Sequence, residues 1–200
     1  MMLVEQTTVP VAAMPVAQFK DHLRLGTGFA DDGVQDAVLE SYLRAAMAAV
    51  EARTGKVLIT RSFTWTLTAW RDLAAQALPV GPVSAITSLT ITDRLGADEV
   101  INPSRYVLEK DLHRPKLVST GICLPAIPVA GEVEIAFDAG FGANWSDIPA
   151  DLAQAVLMLA AYYYENRSEA GLNQGNLPYG VTALVEKYRV VRLFGGGGAA

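Results

Sequence analysis

The spacing of apolar residues changes twice along the chain. From residue 15 to residue 55 they recur every three or four positions, from 56 to 138 they alternate, and from 147 the helical spacing returns. In the first stretch Pro15 opens a short helix with Val16, Phe19 and Leu23 turned inward, stopped at Gly26-Thr27-Gly28. Asp31-Asp32 caps a longer helix that runs to Thr54, with Gly55 as its C-terminal stop. Leu39, Leu43, Ala46, Met47 and Val50 form its buried face, and Glu40 and Arg44 make a favourable i,i+4 pair.

Phe63, Trp65 and Leu67 then alternate with Ser62, Thr64 and Thr66, the period of a half-buried strand. A polar break follows at 71–76, and Pro79 and Pro82 make 77–83 a loop or sheet edge. Ile86, Leu89 and Ile91 lead into a hairpin turned at Asp93-Arg94-Leu95-Gly96, with Val100 and Ile101 on its return. Residues 106–109 and 116–118 read as a further strand pair, and Pro125 and Pro128 flank another turn. Glu132-Val133-Glu134-Ile135 alternates acid with apolar, a strand with one wet face, and ends in Asp138-Ala139-Gly140-Phe141-Gly142.

The last block holds two helix patterns. Ser146 or Asp147 caps the first, Pro149 sits in its opening turn, and Leu152, Val156, Leu159, Ala160 and Tyr163 lie at helical spacing. Asp151 and Arg167 carry the charge that suits each end of the helix dipole. A loop of Glu, Ala, Gly, Asn and Gln leads to Pro178 and a second helix with the stripe Val181, Leu184, Val185, Tyr188 and Val191. Its last turn adds Val190, Leu193 and Phe194, too many apolar residues for one face. With only Gly195-Gly196-Gly197-Gly198-Ala199-Ala200 after them, these residues are expected to be covered either by their own domain or by another protein.

The expected fold class is therefore α+β: mainly a helical bundle, an N-terminal helix pair plus two C-terminal helices, with an inserted block of antiparallel strands. It reads as a single domain over 1–200, with an extended arm at 1–14, helices at 15–55, a strand block at 56–138, C-terminal helices at 147–194 and a glycine tail at 195–200.

Composition narrows the function. Hydrophobic residues make up 51% of the chain and charged ones 18%, so it folds. A net charge of −5 argues against general nucleic-acid binding, which needs clustered Lys and Arg, though not against DNA passing through a pore. Cys123, the single cysteine, excludes an internal disulfide and is expected to be a small buried hydrophobe. No secretory signal is expected, and the longest uncharged helical run, 152–164, is shorter than a membrane span of roughly 20 residues.

No residue set advertises catalysis. His22 and His113 have no second ligand at metal spacing and are expected to face solvent. Asp31, Asp32 and Asp36 suit a helix N-terminus without the spacing of a calcium loop. Gly26-Thr27-Gly28 and Gly140-Phe141-Gly142 lack the strand, helix and Lys of a phosphate loop, and no serine sits in a nucleophile elbow. Tyr162, Tyr163 and Tyr164 point in different directions on a helix, with Tyr163 expected in the core and the others at a rim or interface. No cofactor or metal is expected.

One arrangement carries a resemblance. Asp147-Ile148-Pro149-Ala150-Asp151-Leu152, an apolar helix, Tyr163-Tyr164-Glu165-Asn166-Arg167, a loop, Pro178, and then Leu184-Val185-Glu186-Lys187-Tyr188-Arg189 follow one another in that order. Together with the Phe137-x-Ala-Gly-Phe-Gly step and the helical opening, this resembles the head–tail connector (adaptor, head-completion) family of tailed bacteriophages and gene transfer agents. The N-terminal arm and Gly195 to Gly198 depart from a minimal member. The resemblance implies a structural protein rather than an enzyme, located at the head–tail junction of a virion or gene-transfer-agent particle and assembled in the bacterial cytoplasm. It implies a homo-oligomeric ring of twelve copies under the capsid portal, extending the DNA channel. Its partners would be the portal protein, a downstream stopper or tail protein, and further copies of itself, with DNA passing unread and no membrane. Tyr188, Arg189, Val190, Val191, Arg192, Leu193 and Phe194 are the expected partner interface, the apolar ones filling a groove on the portal or a neighbouring subunit. The turns near Gly96 and at 125–128 are expected to supply a second patch. The alternatives are a small enzyme with an unadvertised pocket and a monomeric assembly chaperone or interaction module.

Overall fold

The computed structural model describes residues 2–25, 33, 35–167 and 177–189. Helix α1 spans Val16–His22 and α2 spans Asp36–Thr54. The face read from spacing is the face that is buried: Leu39, Leu43, Ala46, Met47 and Val50. Gly55 ends α2 at φ 68°, a conformation that costs glycine little, and its N–H reaches the Glu51 carbonyl. The expected stop at 26–28 and cap at Asp31-Asp32 lie outside the described residues. Helix α2 begins at Asp36, whose carboxylate holds Lys20 of α1 at 2.5 Å, and Arg44 reaches Glu40 at 2.7 Å.

The strands are β1 (Met2–Glu5), β2 (Arg61–Leu67), β3 (Ala75–Ala77), β4 (Val83–Thr92), β5 (Asp98–Val100), β6 (Tyr106–Glu109), β7 (Lys116–Ser119) and β8 (Glu132–Ala139). They form two antiparallel sheets, one ordered β1-β2-β8-β4-β5 and the other β3-β7-β6. Helix α3 spans Ala150–Glu165 and α4 spans Tyr179–Val185, followed by a 3-10 turn at Glu186–Tyr188.

This corrects the expected fold class. The protein is α+β, but it is not mainly a helical bundle: helix accounts for 36% of the described residues, and the strands build a layer with its own core. Phe63, Trp65, Leu89, Ile91, Ile135 and Phe137 of the larger sheet pack with Leu117 and Tyr106 from the smaller one and with Leu124 of the loop between β7 and β8. The helices enclose a separate cluster that includes Phe19, Leu43, Leu152, Leu159 and Val185. The strand block is thus one of two cores of comparable weight. Apolar spacing alone could not show this, because it gives each element a buried face without saying which faces meet.

In the segment read as an extended arm, β1 pairs with β2 from Met2 opposite Thr66 to Glu5 opposite Phe63, and Val9 and Met14 enter the helical core. Two local expectations change. Asp147 does not cap α3. It closes a 3-10 turn at Trp145–Asp147 by accepting from the Asn144 N–H at 2.9 Å, and Pro149 occupies the cap of α3. Cys123 is exposed, because Leu124 and Pro125 take the inward positions of that loop.

The junction of the two layers explains the Phe-x-Ala-Gly-Phe-Gly step. Leaving β8, the chain crosses under residues 58–60, with the Phe141 N–H on the Leu58 carbonyl and the Thr60 N–H on the Gly142 carbonyl. Gly140 has φ 142°, and a Cβ there would strike the Thr60 backbone, so only glycine fits. A Cβ on Gly142 would strike Asp147. The registers then define two ends of the strand layer. Arg61, Ala139 and Val83 lie together beside the helices, and Leu67, Val133 and Thr92 lie together at the far end.

Candidate assembly interface

Of the seven residues expected to meet a partner, the structure describes two. Tyr188 is 6% exposed, and its hydroxyl donates to Asp151 Oδ1 at 2.8 Å. Its ring meets Phe141 edge-on, with centroids 6.5 Å apart. Lys187 completes the clasp, placing Nζ 2.6 Å from Asp151 Oδ2 and 4.9 Å from the Tyr188 ring centre. Arg189 binds Glu186 at 2.9 and 3.0 Å. At Arg189 the backbone is extended (φ −67°, ψ 133°), so the second C-terminal helix stops earlier than its apolar stripe suggested. Val190, Val191, Arg192, Leu193 and Phe194 lie outside the described residues.

The clasp fixes where the chain leaves the helical layer. The sequence marked Asp151 only as a charge at a helix N-terminus; its role as acceptor for two groups 36 and 37 residues later needed the fold. Partial desolvation pushes the Asp151 carboxyl up. Hydrogen bonds from Lys187, Tyr188 and the Leu152 N–H, with the Lys187 charge, outweigh it and hold the pKa below the usual value. A carboxyl depressed on folding contributes stability that is complete above its unfolded pKa near 3.8 and is lost as pH falls through the lower folded value. Asp151→Asn is therefore expected to cost roughly 1–2 kcal/mol at neutral pH. Denaturant melts of the two chains should converge as the pH drops below about 3.8.

A second surface lies at the far end of the strand layer. Leu73, Leu95, Ile122 and Val129 are 71, 82, 96 and 92% exposed on three loops, Ile122 and Val129 sharing the one between β7 and β8. That loop is bonded to the loop of Leu73: the Leu124 N–H donates to the Leu73 carbonyl at 2.7 Å and Trp70 Nε1 to the Pro125 carbonyl at 2.7 Å. Gly131, at the end of the 126–131 loop, packs so closely on the Thr92 carbonyl that no side chain would fit. The turns near Gly96 and at 125–128 thus share one end of the molecule. Leu73 and Ile122, which sequence spacing did not single out, join them there.

Beneath the arm a charged cluster is enclosed. Arg61, 9% exposed, donates to Glu51 at 2.6 Å and to Glu5 of β1 at 2.9 Å, and it borders a cleft of about 160 Å³ with Arg44, Met47 and Val9. Burial pushes Glu51 up, opposed by the Arg61 charge and the Leu58 N–H. His22 and His113 are exposed. Among the described residues no group of three His, Cys, Asp or Glu side chains is placed to hold a metal ion.

A structural protein built from an exposed aliphatic end, a clasped exit point and two packed layers agrees with what similarity shows. No family model matches the chain, and no curated protein does. Solved structures do. A chain in the neck of an empty gene transfer agent particle, computed with C6 symmetry, is 53% identical, with a TM-score of 0.89 over 98% of this chain and 99% of that one. A chain in the virion of the native particle is 52% identical, TM-score 0.87, with the same coverage of 98% and 99%. A chain in the native neck computed with C12 symmetry is 48% identical, TM-score 0.84, again covering 98% and 99%. The chain belongs to this family of gene-transfer-agent neck proteins.

Proposed function

We propose that the protein is a head–tail adaptor that forms a twelve-copy ring under the capsid portal, extends the DNA channel and presents a surface to the next stopper or tail protein. The observation that carries this reading is the 48% identity, over nearly the whole chain, to a protein of a neck computed with C12 symmetry. A net charge of −5 suits a channel through which DNA moves without being held. Residues 188–194 are the partner contact, with Tyr188 and Lys187 clasping the root of the segment to Asp151 so that Val190 and the residues after it start from a fixed point.

A chain ending at Arg189 keeps the clasp and both cores. It is expected to melt at the same temperature as the full chain, yet to be lost when portal-bearing heads are pelleted and washed. Retention of the shortened chain on heads at the full-length level would show that residues 190–194 are not the contact.

A further inference from the structure

We infer that the β6–β7 turn of one copy docks on the outer face of the larger sheet of the next copy, cations against acids. This rests on the ring reading and names a contact that closes the ring. A ring built head to tail needs two different patches on each subunit.

The first patch follows from the strand registers. Phe63, Ile135 and Leu89 face the core, so the residues that alternate with them face outward. Thr66, Glu134 and Thr90 stand in one outward row, and Glu132, Thr92 and Asp98 in the next. Asp138 lies further along the same face of β8. None of these side chains is buried by the described residues. The five strands of this sheet hold one cation, Arg61, and it is turned inward with Phe63 and Trp65. Asp98, Glu132, Glu134 and Asp138 therefore share a face with no cation on it, and none of the four has an ion-pair partner among the described residues. Like charges side by side on a sheet face are destabilising until an opposite charge arrives.

The second patch is local. Lys110, His113 and Arg114 are exposed on the turn between β6 and β7, and neither Lys110 nor Arg114 has an ion-pair partner among the described residues. Asp111, the acid of that tip, is occupied in shaping it: its Oδ1 accepts from the His113 and Arg114 N–H groups at 2.7 and 2.6 Å. The Pro115 carbonyl accepts from the Leu78 N–H at 2.9 Å, and Gly81 packs so closely on the Leu112 carbonyl that no side chain would fit. A turn already fixed in this way loses little freedom when it docks.

The fold excludes the same copy as the host. Tyr106 of β6 and Leu117 of β7 pack with the core-facing residues of the larger sheet, so the smaller sheet covers its inner side. The larger sheet itself stands between the turn and its own outer face. The acids can meet such a turn only from another molecule, and a head-to-tail ring brings one to every subunit.

Charge exchange tests the contact on the full chain. Lys110→Glu with Arg114→Glu changes exposed side chains, as does Glu132→Lys with Glu134→Lys, so the melting temperature should hold in both. The concentration needed for ring formation, followed by light scattering and microscopy, should rise at least about tenfold in each. The chain carrying all four changes should return to within about threefold of the unaltered one, because the two charges have traded places. Unchanged assembly of either pair, or no recovery in the fourfold variant, overturns the contact. Rings that form normally but fail to hold DNA or the next neck protein place the turn on another partner and overturn it as well. Absence of rings from the unaltered chain, both alone and on portal-bearing heads, overturns the ring reading instead.

Discussion

Gly140→Ala is expected to lower stability by roughly 4 kcal/mol or more, enough to unfold a domain of ordinary stability. Two costs add. A residue with a side chain resists φ 142°, and its Cβ would be driven into the backbone nitrogen and Cα of Thr60. Relief requires separating residues 58–60 from 140–142, the hydrogen-bonded crossing that joins the strand layer to the helices. Gly55→Ala is the control. Its φ is also positive, at 68°, but nothing lies within 4 Å of the added Cβ, so only about 1–2 kcal/mol should be lost. Denaturant midpoints of the two variants measure the difference. Equal losses would mean that strain alone, and not the crossing, demands glycine at 140.

Arg61→Leu is expected to cost roughly 3–5 kcal/mol and to release the N-terminal strand. The guanidinium joins Glu51 of α2 to Glu5 of β1, so its loss leaves one carboxylate enclosed without its cation and the strand without its only ion pair among the described residues. Hydrogen exchange should show the Met2–Glu5 amides opening while those of β8 stay protected. The sign of the pH dependence follows from Glu51. Its folded pKa lies above the unfolded 4.5, chiefly through burial, so keeping it ionised costs stability as pH rises above 4.5. Without Arg61 that cost grows, and the deficit of the variant should widen with pH above about 4.5 and shrink below it. Replacing Glu51 by Leu as well should recover much of the loss, because two apolar side chains leave no unpaired charge.

Some elements could be read directly from the chain. Helix α2 ends where Gly55 says it must, and β2 shows the alternation of Phe63, Trp65 and Leu67. The hairpin of β4 and β5 turns at 93–97, and β6 pairs with β7 across the turn at 111–115. These are local properties, set by periodicity and by residues suited to turns. The order of elements around Asp147-Ile148-Pro149 was enough for a resemblance, and the neck structures bear out its gene-transfer-agent part.

Other features were not legible because they depend on which elements meet. β3, three residues of Ala, Gln and Ala, has no apolar alternation and exists because β7 offers it an edge. β1 carries Met2, Leu3 and Val4 exposed and is a strand because β2 has a free side. Cys123 sits in an apolar run, yet only its neighbours Leu124 and Pro125 turn inward. Asp151 looked like a dipole residue and serves as the clasp of the C-terminal exit.

By itself, then, the sequence determined where the longer helices and the alternating strands lie and that no familiar catalytic or metal-binding spacing is present. Tertiary structure decided that the strands form a second core rather than an insertion. It also brought Leu73, Leu95, Ile122 and Val129, which span 57 positions of the chain, to one end of the molecule. Periodicity is a property of neighbours along the chain, whereas a surface is made by residues brought to one end of the molecule only when the sheets close.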